Sequence, residues 1–537
     1  LQIAEGKDFR VRIFDEGVIR SSAKAGARLV PLVVIGAAVA LRVVPLLARY
    51  PLHRDEALYG AWARLIASGK DPFLLTAWVD KPPLVMYLLA GSLRALGASD
   101  LALRLPGMIA SIACVALTYG LAGQAYNRRV ALPAATLCAF SPFAILFAPT
   151  AFTDPWLTVW LLASVWAALA GKSFWAGLLL GLAVASKQQG LLGIPLVLGV
   201  LALEAVERAG SMAKPRSVRR LLVRYVLAAV AGFLIIFVPL MYWDSLRWVN
   251  RPSFWDRSLQ TYGGLQLAEP RDWLNRLAAW MHQGAYFYGP TPVTLLLVGL
   301  ATLPGILALQ RWVRRPRQPS FGFHQRFDLL LLSYVGGYVV LHVLATFQPW
   351  DRYLLPLVPI LSILAARGLV FLRQRSQNMR KRSAVQLCAV FGLASLLTWA
   401  SWTGVSGRLP VGSDHGAFDN LDRVVTFVRS RPSSAVVYHH SLGWYFDFYL
   451  FDAPQRRPWW ENSWQLADLA KRTTSAEPGH ELWLVLAGWE DPVRAQIPSA
   501  LASWGLLLRE EQSIQRHDGT LAFSIHRIEP IREDPSP

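Results

Sequence analysis

The chain reads as a series of long apolar runs separated by polar stretches. Runs of the roughly 17 to 25 residues needed to cross a bilayer fall at about 29–48, 105–125, 130–149, 154–170, 219–242, 291–310, 328–347, 353–372 and 384–403. Shorter runs at 83–97, 174–186 and 189–204 suit short spans, paired half-spans or interfacial helices. The pattern predicts a polytopic α-helical membrane protein with about eleven to thirteen spans over residues 29–403. Beyond residue 403 the period changes. Helical patterns near 418–431 and 463–471 alternate with short apolar or β-branched runs at 435–438, 482–487 and 521–528. That alternation predicts a small α/β domain over 404–537, about 130 residues. No internal repeat or low-complexity tract is visible, and residues 533–537 read as a frayed tail.

The polar stretches are of two alternating kinds. One kind is basic: 7–28 within the N-terminal segment 1–28, Arg128-Arg129, 208–224, 311–326 and 373–382. The positive-inside rule makes these cytoplasmic. The other kind, 50–83, 148–155, 242–290, 348–352 and everything after Trp402, carries paired charges, aromatics and turn residues. These stretches are expected outside the cytoplasmic membrane. The parity closes with the N-terminus inside and the C-terminal domain outside, provided 174–204 crosses twice and 83–97 does not cross. The first apolar run follows a basic segment and has no small-residue cleavage pattern, so it reads as a signal anchor.

Charge alone points to another class, because 54 Lys and Arg against 35 Asp and Glu give a net charge of +19. The rest of the composition overrides that reading. Hydrophobic residues make up 54%, and charged residues 17%, where a soluble domain carries roughly 25%. The mean hydropathy is +0.33. Most of the basic excess sits in the cytoplasmic stretches, where it orients the protein and meets anionic headgroups. Membrane lipids, and no nucleic acid, are therefore the expected partners of that charge. So apolar and aromatic a chain is not disordered, and Cys114, Cys138 and Cys388 lie in apolar runs without bridge or ligand spacing. There is no Walker A loop, dinucleotide fingerprint or His-Glu-x-x-His helix. His439-His440 and Asp414-His415 are weak metal suggestions, more readily solvated or core histidines.

The candidate chemistry lies in the outer stretches. His53-Arg54-Asp55-Glu56 follows the first span, so its carboxylates sit at the membrane-water boundary, where a general base for a lipid-borne substrate belongs. The same residues equally suit a helix start, with Asp55 capping a helix over 56–67. Lys81 precedes Pro82-Pro83, which fix its direction; it can hold a phosphate or simply snorkel. Asp154 lies between two long apolar runs, where a charge must be paired or hydrated, and Thr153 or Asp154 could cap the next helix. Ala185-Ser186-Lys187-Gln188-Gln189-Gly190 breaks an apolar stretch as a polar cavity would. Asp351-Arg352 is a local salt bridge or a phosphate contact through its guanidinium. The long 242–290 stretch interleaves aromatics, including Tyr286, with Arg257, Arg271, Arg276 and His282. Most of those aromatics suit an interfacial belt, although loops of this length are commonly functional.

Taken in order, Arg54-Asp55-Glu56, Asp80-Lys81-Pro82-Pro83, Phe152-Thr153-Asp154-Pro155, Ser186-Lys187-Gln188-Gln189-Gly190 and Arg352-Tyr353-Leu354-Leu355-Pro356 resemble the GT-C membrane glycosyltransferases. The likeness is to the group with protein O-mannosyltransferases and the lipid A aminoarabinose transferase, and covers about 30–370. It implies a GT-C fold, a polyprenyl-phosphate sugar donor, a lipid, glycan or protein acceptor, and inverting transfer on the outer face. It further implies that Asp55 is the base, that Asp154 helps form the site and that Lys81 holds the donor phosphate; by their own chemistry Glu56 is a further catalytic candidate, and Lys187 and Arg352 are further candidates for the phosphate. A basic residue expected in the fourth outer loop has no clear counterpart, leaving Arg257, Arg271, Arg276 and His282 as rivals. No inserted carbohydrate-binding module is present, which weakens a protein acceptor of the eukaryotic kind. No cofactor is implied with certainty, and a divalent metal stays open. Two other readings remain: a lipid-linked sugar transporter or flippase, which would place ionisable residues at the midplane between repeated halves, and an inactive structural subunit.

Overall fold

The computed structural model describes residues 16–48, 50–210, 215–261, 266–314, 321–376, 383–412 and 414–531. The 533–537 tail and parts of every basic stretch except Arg128-Arg129 lie outside the described residues. The helical part runs α1 Glu16–Leu47, α2 Arg54–Ser68, α3 Leu84–Leu96, α4 Asp100–Ala125, α5 Arg128–Ala139, α6 Pro142–Leu146, α7 Asp154–Leu169, α8 Ser173–Ser186 and α9 Ile194–Ala209. It continues with α10 Pro215–Arg247, α11 Phe254–Thr261, α12 Trp273–Gly284, α13 Thr291–Arg314, α14 Phe323–Leu344, α15 Leu357–Ser376 and α16 Ser383–Val405.

Among the described residues, 7 helices are long and apolar enough to cross a membrane, and α3, α7 and α8 are shorter apolar helices. The protein is thus a polytopic helical membrane protein. One expected span is interrupted. The 130–149 run, read as one span, is broken: α5 stops at Ala139, and Ser141 accepts the Ala144 N–H to start α6. Twelve helical residues rise only about 18 Å, well short of a hydrocarbon core. The break exposes the last carbonyls of α5, and the buried Arg42 of α1 binds them. Its Nη1 donates to Ala139 O at 3.0 Å and its Nε to Ser111 Oγ at 2.8 Å. A cation at a helix C-terminus faces the negative end of the dipole, so this intramembrane arginine has a structural account.

Among those seven, α10 is the most open to lipid, with 17% of its apolar window buried. It contacts α9 and packs most closely on α8. A Cβ on Gly177 would sit 1.7 Å from Ala229 O, so the two backbones touch only because that methyl is absent.

The end of the bundle away from the acidic motifs is tied by side chains from four helices. Tyr126 at the end of α4 donates to Asp328 Oδ1 of α14 at 2.5 Å, and Arg367 of α15 pairs with Asp328 Oδ2 at 3.5 Å. Arg208 of α9 pairs with Glu204 and donates to Ala170 O at 3.0 Å.

The C-terminal domain is built on a four-stranded sheet of β1 Val436–His439, β2 Leu482–Ala487, β3 Leu506–Gln515 and β4 Leu521–Pro530 in the order β1-β2-β4-β3. β1 and β2 pair parallel; β2–β4 and β3–β4 pair antiparallel. α17 Leu421–Arg429, α18 Gly443–Tyr449, α19 Ser463–Ala476, α20 Asp491–Arg494 and α21 Ile497–Ala502 accompany it. β1 and β2 are buried throughout, which is why their sequences are continuous apolar runs. β3 was not legible: its residues LLLREEQSIQ are mostly exposed and do not alternate.

Candidate active site

The N-terminus of α2 is set by two neighbours with different duties. His53, rather than Asp55, caps the helix: its Nδ1 accepts the Asp55 N–H at 3.1 Å, while its own N–H donates to Glu56 Oε2 at 2.9 Å. Glu56 is buried and saturated. Arg104 of α4 donates to both its oxygens, at 2.9 and 2.7 Å, and the Ala151 N–H donates to Oε1 at 3.0 Å. Arg104 then binds the carbonyls of Tyr50 and Pro51, at 2.7 and 2.9 Å. Glu56, expected beside the base, therefore joins the α1–α2 link, α4 and the 148–153 segment, and has little capacity left for a substrate. Burial raises its carboxyl, but Arg104 and the two main-chain donors hold it below the usual range.

Asp55, one residue earlier, is turned the other way. Arg352 Nη2 donates to its Oδ2 at 2.5 Å, and about 20% of the aspartate side chain stays exposed. Burial pushes the carboxyl up, yet Arg352, His53, Lys81 and Lys187 together bring it below the ordinary value. Arg352 comes from the turn Asp351–Leu354 before α15. Its guanidinium lies 4.9 Å from the Phe152 ring and 5.0 Å from that of Trp350, so aromatic faces hold the cation where its planar donors point at the carboxylate.

Two more aspartate–cation pairs share this space. Lys187, in the link between α8 and α9, donates to Asp154 Oδ1 at 2.5 Å and lies 4.0 Å from the Tyr353 ring. Burial, with Arg352 and Lys81 close by, pulls its ammonium down to about 8 against the opposing pull of Asp154. Lys81 pairs with Asp80 at 2.6 Å, and Gln188 donates to Asp80 O at 2.7 Å, tying the Asp80-Lys81 turn to the α8–α9 link. Asp154 is delivered by close packing of the 148–153 segment on α4, where a Cβ on Gly107 would lie 1.9 Å from Thr150 O. Thr153 occupies the position before α7 without a capping bond.

The structure thus brings Asp55, Asp154, Lys81, Lys187 and Arg352 into one field. Among the described residues, Arg257, Arg271, Arg276, His282 and Tyr286 make their contacts elsewhere. Arg276 donates to the carbonyls of Val343 and His342, at 2.9 and 3.1 Å, and to those of Ala345 and Phe347, so it braces the chain leading to Arg352. Arg271 is exposed and pairs with Glu269 at 2.7 Å; Arg257 lies 5.3 Å from the Trp78 ring; His282 meets Tyr286 edge-on at 5.5 Å. Arg104 was the residue the sequence reading missed. Its only signal was a charge one position before an apolar run.

Among the described residues no group of three His, Cys, Asp or Glu side chains converges as metal ligands. Asp55, Asp80 and Asp154 each already face a side-chain cation. His439 and His440 contact the carbonyls of Arg457 and Trp460 instead.

The family model for dolichyl-phosphate-mannose-protein mannosyltransferase matches residues 80–243, which include Lys81, Asp154 and Lys187. Two solved structures of ArnT from Cupriavidus metallidurans are similar along nearly their whole length. The apo form has a TM-score of 0.60 at 15% identity, covering 94% of this chain and 98% of that one. The form bound to undecaprenyl phosphate has a TM-score of 0.58 at 15% identity, covering 92% and 97%. The apo oligosaccharyltransferase of Archaeoglobus fulgidus has a TM-score of 0.52 at 13% identity, covering 93% of this chain and 74% of its own. No curated relative matches in sequence. At such identities the likeness shows the fold.

Proposed function

Starting from the GT-C fold of the O-mannosyltransferase and ArnT type, we propose that this chain is a glycosyltransferase. It moves a sugar from a polyprenyl-phosphate carrier to a hydroxyl or amine of a lipid, glycan or protein acceptor. The alternation of basic and paired-charge stretches supports a site on the outer face of the cytoplasmic membrane, with the N-terminus inside and the C-terminal domain outside. The observation that carries the reading is the Asp55–Arg352 contact within a field of three cations, which sets a general base beside a phosphate-binding group.

The chemistry follows from donor capacity. A guanidinium has five N–H donors and an ammonium three. Arg352 gives one to Asp55 and Lys187 one to Asp154, so both can also bind phosphate oxygens, and Lys81 adds charge. In a single inverting displacement, Asp55 takes the acceptor proton as the acceptor oxygen or nitrogen forms its bond to the anomeric carbon. The bond from that carbon to the phosphate oxygen breaks, and its electron pair stays on the phosphate. The charge that develops there meets cations already in place. Asp154 keeps Lys187 oriented, and Glu56 fixes the start of α2. No step passes through a metal.

Purified protein in lipid nanodiscs, incubated with radiolabelled polyprenyl-phosphate sugars, is expected to release free polyprenyl phosphate and a labelled product. Movement of intact carrier across vesicles, with no donor consumed, would replace this reading with a transporter.

A further inference from the structure

The C-terminal domain reaches the site at its N-terminal edge. Tyr445 of α18 donates to Leu52 O at 3.0 Å, directly before His53, and the Arg54 guanidinium lies 4.5 Å from the Trp444 ring. The Gly412 N–H donates to Asp351 Oδ2 at 2.5 Å, next to Arg352. Two residues on stands Asp414, whose carboxyl burial pushes up and His53 draws partly back. The Gly416 N–H engages the Asp414 carboxylate. The intervening His415 sits at φ 50, a left-handed conformation that non-glycine residues adopt at some expense. Asp414 Oδ2 is nevertheless buried without a hydrogen-bond donor among the described residues, and no cation there pairs with it. A buried carboxylate oxygen left without a donor is expensive, and none of the donor-side chemistry above uses it.

Resting on the glycosyltransferase reading, we infer that Asp414 is an acceptor-binding residue: its Oδ2 receives a hydroxyl or ammonium donor that the acceptor carries beside its reacting group. The acceptor is then a compound with several O–H or N–H groups, such as a sugar or amino-sugar unit, rather than a simple alcohol. It lies where the C-terminal domain meets the start of α2. A charge-assisted hydrogen bond of this kind discriminates strongly, because an acceptor lacking the second donor leaves the oxygen unpaired.

The test compares wild type with Asp414→Asn, using glucosamine and cyclohexanol as probe acceptors. Wild type should prefer glucosamine in kcat/KM, and the variant should lose at least about tenfold of that preference while keeping the donor KM and the slow hydrolysis of donor by water. Binding is read separately, without turnover, as the rise in Tm that glucosamine gives. Loss of that rise in the variant, with the rise from polyprenyl phosphate kept, supports the assignment. An equal rise in both proteins, or an unchanged preference, overturns it. If wild type consumes no donor at all, the glycosyltransferase reading fails, and the Tm comparison still decides the role of Asp414.

Discussion

At the end of the bundle away from the site, Asp328 faces a hydroxyl from Tyr126 and a guanidinium from Arg367, so both its oxygens are engaged. At the site end Asp55 takes one donor from Arg352 and keeps part of its side chain open. Both ends hold ionised groups that the bilayer would otherwise exclude. They differ in spare capacity. The Asp328 cluster ties helix ends together, whereas the Asp55 cluster brings three carboxylates and three cations into one space without saturating them. The same contrast recurs between adjacent residues, since Glu56 is consumed by the fold and Asp55 is left free to act. Buried charge by itself does not mark a catalytic site; on the reading proposed above, what marks this one is buried charge with donors and acceptors to spare.

The largest expected effect tests the spare capacity directly. Asp55→Asn removes a general base, a loss of roughly 10²–10⁴ in turnover, while the fold persists because Glu56 and Arg104 still lock α2. Donor consumption and the Tm, measured on one preparation, check both halves; wild-type turnover in the variant would remove Asp55 from the mechanism. Next comes Asp328→Asn, which should lower stability by about 1–3 kcal/mol and leave kcat and both KM values unchanged. A change in kcat there would dissolve the distinction between the two ends. The smallest effect is a pH limb. Lys187 loses its charge as pH rises through about 8, and Asp55 is held below the usual carboxylate range, hence ionised at neutral pH. Turnover at limiting donor should therefore fall as pH rises through about 8, by up to about tenfold per unit, with no acid limb near neutrality. Lys187→Arg, charged throughout, should flatten the profile.

Much of this was legible from the chain. Runs long enough to span gave the membrane class and most helix positions, because a bilayer demands continuous apolar stretches whatever the neighbours are. Lys187 and Asp154 stood out as charges interrupting such runs. Their pairing did not, since they lie 33 residues apart with no periodicity to link them, and Asp55 and Arg352 lie 297 apart. Arg104 was hidden at the edge of an apolar run, and its partner Glu56 looked catalytic because saturation is a property of three-dimensional neighbours. The break after α5 was missed because the residues across it are as apolar as a span. β3 was missed because its exposed charges obscure the alternation.

The hydrogen bond from Tyr445 to Leu52 joins residues 393 apart. A ribosome making this chain lays down Asp55 early and reaches Tyr445 only after several hundred further residues. Until then the edge of the site that carries His53 has no C-terminal domain against it. On the reading offered above, a partly synthesised molecule already possesses its base and its phosphate clamp but has nowhere to seat an acceptor. On that reading, synthesis of the C-terminal domain would also be the moment at which the molecule becomes competent to choose its acceptor.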